Sequence, residues 1–168
     1  MIDAPLAPKT ASAMALGRAR EGARALPAIR AGIAAGVIGL LLLQLAGAVV
    51  YDESPWKLLR MVAALARGPQ ALEPDDEFDA GLVSLGLFLF LSLSVLYSLA
   101  LAALLADAPR RFAPALGIAF GIGLYAVNFH GFTALFPWFV PYRTPDVVLV
   151  HAIFGFAAAR GLSLFRRR

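Results

Sequence analysis

The sequence predicts an all-α membrane protein: four transmembrane helices in a bundle, with a short interfacial amphipathic helix in the first outer loop. Three observations carry this. Of the 168 residues 60% are hydrophobic and 15% charged, with mean hydropathy +0.75; soluble domains average about 45–50% apolar and about 25% charged residues. Stretches nearly free of charge, each near the roughly 20 helical residues that cross a ~30 Å hydrocarbon core, occur four times. Lys and Arg fall unevenly between the two sets of segments that flank these stretches.

The first span, about 31–51, lies between Arg30 and Asp52. Residues 1–29 read as a cytoplasmic tail, amphipathic or disordered. A cleaved signal peptide is the competing account, because Ala46 and Ala48 imitate a cleavage site, but the polar lead and the apolar stretch both exceed the usual lengths. The second span, about 80–106, lies between Asp79 and Asp107. The third, about 113–136, follows Arg111 and stops before Pro137, since proline cannot continue a helix. The fourth, about 147–165, contains Arg160, which is near enough to Arg166–Arg168 to snorkel to the same interface. Together 30–165 form the transmembrane domain, and 166–168 a basic cytoplasmic C-terminus.

In the connection 52–79, residues 54–68 read as an outer-face amphipathic helix. Ser54 is the expected N-cap with Pro55 in the first turn. Lys57, Arg60 and Arg67 share a face suited to headgroups, with Trp56 at the boundary; a helix lidding the bundle is the compatible alternative. Gly68-Pro69 ends it. Glu73, Asp75, Asp76, Glu77 and Asp79 offer oxygen ligands to a cation but lack EF-hand spacing. They also suit the N-terminus of the next helix, where the macrodipole is positive.

Orientation follows from charge. Eleven basic residues (Lys9, Arg18, Arg20, Arg24, Arg30, Arg110, Arg111, Arg160, Arg166, Arg167 and Arg168) fall on one side, against Lys57, Arg60, Arg67 and Arg143 on the other. Cytoplasmic segments carry the excess, so both termini are expected in the cytoplasm of a bacterial inner-membrane protein. The net charge of +4 is thus a topology signal and predicts no nucleic-acid partner. Absence of cysteine excludes disulfides, thiolate metal sites and cysteine nucleophiles. No phosphate loop, nucleophile elbow or zinc-protease helix is present.

Within lipid, small residues that let backbones approach are the informative ones. Gly32 and Gly36, extended by Ala35 and Gly39, mark the first span. Ser94 and Ser98 serve the second, Gly117 and Gly121 the third, and Gly155 with Ala159 the fourth. They predict a compact bundle, a homo-oligomer or membership of a larger membrane complex. Trp56, Trp138 and Tyr142 are expected interface anchors. At depth, His130 sits ~9 Å below the outer end of the third span and His151 ~6 Å into the fourth, at 1.5 Å per residue, with Asn128 slightly deeper. His130, His151 and Asn128 are therefore candidates for a haem or quinone site; polar links between helices use the same residues without a cofactor. A lipid or quinone pocket between the aromatic segment Phe129–Tyr142 and the outer-loop helix is a further candidate.

Three stretches carry a family resemblance: Ser54-Pro55-Trp56-Lys57-Leu58-Leu59-Arg60-Met61, the segment Asn128 to Phe139, and His151-Ala152-Ile153-Phe154-Gly155. With them the chain resembles an uncharacterised family of small four-span bacterial inner-membrane proteins, some bearing sodium:proline symporter-like labels. A four-span chain of 168 residues is too small for that symporter fold. The expected function is a non-enzymatic structural or accessory bundle without cofactor. The alternatives are a haem- or quinone-linked redox protein using His130 and His151, and a small transporter or channel subunit.

Overall fold

The computed structural model describes residues 7–74 and 77–165, with side chains from Ala25 onward. Five α-helices account for most of it: α1 (Ala7–Val50), α2 (Lys57–Arg67), α3 (Ala80–Leu104), α4 (Ala113–Ala126) and α5 (Pro145–Phe165). Four segments are long and apolar enough to cross a membrane: Ala25–Val50, Ala80–Leu104, Arg110–Ala134 and Pro145–Phe165. The chain is an all-α, four-helix, multi-pass membrane protein, with no strand among the described residues.

Two segments differ from their sequence reading. Helix α1 starts at Ala7, so helix runs through most of the segment read as a tail. Its first turns are rich in Ala and Arg, strong helix formers, and Pro27 lies inside the helix without ending it. The third span is α-helical only to Ala126. It continues as a π-turn over Val127–Gly131 and a 3-10 turn over Phe132–Ala134.

Spatial order departs from chain order. Helix α5 packs between α1 and α4, α1 also holds α3, and α2 lies on α3. Small residues set each of these contacts. A Cβ on Gly32 would stand 2.7 Å from Val95 Cα, and one on Gly36 2.7 Å from Ser94 Oγ. Between α4 and α5 the backbones themselves touch. A Cβ on Gly117 would strike the Gly155 carbonyl oxygen, one on Gly121 the His151 carbonyl oxygen, and one on Gly155 the Gly117 carbonyl oxygen. Gly86 similarly meets the backbone of Leu59, seating α2 on α3. Gly39 does not extend the Gly32–Gly36 contact, because a Cβ there meets nothing within 4 Å. Among the described residues, then, Gly32, Gly36, Gly117, Gly121, Gly155 and the fully packed Ala159 serve contacts within one chain. Leu41, Leu45, Val49, Phe88, Leu96 and Leu149 point outward, the apolar exposure that lipid tails match.

Candidate functional site

Side-chain hydrogen bonds that join separate elements gather at the end of the bundle that carries α2. Helix α2 begins two residues later than Ser54 predicts. Its N-cap is Trp56 and no side chain caps it; Ser54 instead accepts from the Lys57 N–H through its main-chain carbonyl at 3.2 Å. Gly68, at φ 84°, closes the helix by donating to the Ala64 carbonyl, a conformation that glycine adopts without a Cβ penalty.

The centre of α2 is covered on both sides: Leu59 to Ala64 are all buried. This corrects the expectation that Arg60 lies with Lys57 and Arg67 on one open face of the helix. It is 3% exposed; its Nε donates to the Ala71 carbonyl at 3.0 Å and its Nη1 to the Glu77 carbonyl at 2.7 Å. The guanidinium thus ties Ala71 and Glu77 to α2, and α2 is a lid on the bundle. Asp79 then caps α3, its Oδ1 accepting from the Leu82 N–H at 2.9 Å. Of the acidic cluster, Asp75 and Asp76 lie outside the described residues, among which no three His, Asp or Glu side chains group to hold a metal.

Opposite α2 stands the segment Pro137–Tyr142, a 3-10 turn. Hydrogen bonds tie it and the neighbouring helices to the lid. Trp138 Nε1 donates to the Met61 carbonyl at 3.2 Å, and the Tyr142 hydroxyl donates to Glu53 Oε1. Glu53 also pairs with Lys57 at 3.2 Å. Tyr51 donates to Asp146 Oδ1 at 2.8 Å, and Gln44 Nε2 to the Pro55 carbonyl at 2.6 Å. Between lid and segment lies a cleft of about 850 Å³, within the range of small-molecule sites. Its walls include Tyr51, Trp138 and Tyr142, with Met61 and Leu72 as apolar floor and Glu53, Lys57, Arg60 and Glu73 as charges. Of the expected anchors, Trp138 and Tyr142 line this cleft, while Trp56 packs on Phe78 with ring centroids 4.7 Å apart.

A second constellation forms where α4 gives way to the π-turn. Tyr97 of α3 donates to Asn128 Oδ1 at 2.9 Å. His130 and His151 both set their rings edge-on to Tyr125, with centroids 5.6 and 5.9 Å from it. Phe129 adds a second ring against His151 at 5.5 Å. His151 Nδ1 is 2.8 Å from the Val147 carbonyl, which only accepts, so Nδ1 carries the hydrogen and Nε2 the lone pair. The histidines therefore converge on one tyrosine, and Asn128 is occupied by a helix-to-helix bond. Arg143, which the sequence offered only as the charge bounding a span, closes the broken helix end. Its Nε donates to the Phe129 carbonyl at 2.7 Å and its Nη2 to Thr133 Oγ1 at 2.6 Å.

Arg60 and Arg143 escaped the sequence reading as binding groups. A signal for Arg60 existed: it interrupts the otherwise apolar run Leu58–Ala66, where a charge on a covered helix needs partners. Comparison of the chain with family models, curated proteins and solved structures gives no match.

Proposed function

We propose that this is a non-enzymatic accessory protein of the bacterial inner membrane whose working part is the cleft under α2. Charge asymmetry supports an orientation with both termini in the cytoplasm and the cleft at the periplasmic surface. The observation that carries the reading is the cleft itself, about 850 Å³, with walls from separate elements joined by hydrogen bonds through Trp138, Tyr142 and Tyr51. A concavity braced in this way is preorganised to receive a ligand at little conformational cost.

The chain has no cysteine, so one introduced thiol reports alone. Glu73→Cys should react with a membrane-impermeant maleimide from the periplasmic side, and Arg110→Cys only after the membrane is opened. In membranes the Glu73→Cys reaction should be slower than in delipidated detergent, because an occupant shields the cleft. Equal rates would refute the binding role, and labelling from the opposite side would refute the orientation.

A second reading, a haem- or quinone-linked protein, is favoured by the convergence of His130 and His151 on Tyr125. It requires a Soret band, or a quinone extractable from purified protein, lost in His151→Ala. Colourless, quinone-free protein from respiring cells would dismiss it.

A further inference from the structure

The charges of the cleft do not cancel locally. Glu53 is satisfied by Lys57 and Tyr142. Arg60 is different: two of its three guanidinium nitrogens are spent on main-chain carbonyls, and among the described residues no carboxylate lies within 4.0 Å of it. Its remaining nitrogen, Nη2, makes no hydrogen bond to a described residue, and the side chain borders the cleft. A guanidinium 3% exposed and without a counter-charge among the described residues is costly unless an anion completes it. Glu73 borders the same cleft and is the complementary case: an exposed carboxylate with no hydrogen bond or ion pair to a described residue. The two are held near each other without pairing, since Arg60 bonds the carbonyls of Ala71 and Glu77, on either side of Glu73 in the chain.

A ligand that balances both groups is a zwitterion, with an oxyanion for Arg60 Nη2 and an ammonium for Glu73. The rings of Tyr51, Trp138 and Tyr142 add faces that attract a cation. The site's position selects the source. Trp56, Trp138 and Tyr142 lie at one end of the bundle, the level at which aromatic belts meet headgroups. Leu135 and Val140, in and just before the segment forming one wall, leave apolar side chains exposed for acyl chains. We infer that the cleft holds the headgroup of an aminophospholipid, its phosphate on Arg60 and its primary ammonium at Glu73. This rests on the reading of the cleft as a binding site and names its occupant.

The test is native mass spectrometry of the full chain in detergent, titrated with phosphatidylethanolamine or phosphatidylglycerol, which share the phosphate but differ in the ammonium. Wild type should retain the ethanolamine lipid preferentially. Arg60→Lys should weaken retention of both lipids by roughly tenfold, the worth of one charge-assisted hydrogen bond. Glu73→Gln, at an exposed position, should leave the fold intact by circular dichroism and reduce the preference by about threefold or more. Soluble glycerophosphoethanolamine should compete with the bound lipid, showing that the headgroup is the part recognised. An unchanged lipid preference in Glu73→Gln overturns the inference, even if Arg60→Lys fails to fold. So does binding of glycerophosphoethanolamine without retention of the lipid. If Glu73→Cys is shielded in membranes yet no aminophospholipid is preferred, the cleft remains a binding site and this occupant alone is rejected.

Discussion

Replacing Gly155 by alanine places a methyl group between two backbones. Its Cβ would overlap the Gly117 carbonyl oxygen and stand 2.9 Å from both Gly117 C and Gly121 N. Carbon atoms in good contact sit about 3.5–4.0 Å apart, so α4 and α5 must part by the better part of an ångström. No flexible side chain is present to yield; both obstacles are main chain. Overpacking that main chain must relieve falls in the upper part of the usual range, about 2–3 kcal/mol. Alanine returns up to about 1 kcal/mol of helix propensity, so the net loss is roughly 1–2 kcal/mol for one methyl. With about 2–4 °C per kcal/mol for a chain of this size, thermal unfolding in detergent, followed by circular dichroism, should fall by roughly 2–8 °C. Gly123→Ala is the matched control, because a Cβ there meets nothing within 4 Å; it should leave the midpoint unchanged or raise it. If Gly155→Ala is as stable as wild type, or Gly123→Ala loses as much, backbone contact between α4 and α5 does not hold the bundle.

The Ser98 hydroxyl is fully buried without a hydrogen-bond partner among the described residues, so Ser98→Ala should be neutral or stabilising by up to about 1 kcal/mol; a clear loss in detergent unfolding would mean that the hydroxyl has a partner. A double-mutant cycle of Tyr97→Phe and Asn128→Leu should give a coupling of about 0.6–1.7 kcal/mol, the range of hydrogen bonds between membrane helices, and a zero coupling would remove the bond from the account. Arg143→Ala removes both guanidinium bonds to the Phe129 carbonyl and Thr133; amide exchange should accelerate over 129–134 while α5 stays protected. Arg60→Met withdraws two hydrogen bonds from the connection 69–79, which should then be cut by added protease several-fold faster than in wild type.

The four spans were legible because lipid acts on composition over some twenty residues, a scale on which single substitutions hardly matter. The small-residue stripes were legible as contacts but not as partners. Nothing in Gly32-x-x-x-Gly36 says that it meets Ser94 and Val95, or in Gly117-x-x-x-Gly121 that it meets α5. Pairing depends on which helices surround which, and that is a property of the whole assembly. The crowd of rings read first as an interfacial anchor, with a pocket against the outer-loop helix as the alternative, and the charges of the cleft found there were misread. Helical periodicity groups Arg60 with Lys57 and Arg67, and it carries no account of the carbonyls of Ala71 and Glu77 that bond Arg60 alone of the three. The π-turn at Val127 was hidden for a related reason: no proline lies between Pro114 and Pro137 to announce it, and the bonds that relieve the broken ladder come from Arg143, beyond the span.

The central position of α5 bears on the order of assembly. Helices α1 and α4 make their main contacts with α5, which follows both in sequence. Until α5 enters the membrane, the Gly117–Gly121 surface has no partner backbone and α1 has only α3. Bundle formation therefore waits on the fourth of these spans, and a chain cut between Tyr142 and Val147 would leave three helices without their keystone. Quality control that recognises exposed small-residue surfaces would find them in that intermediate and lose them when α5 docks.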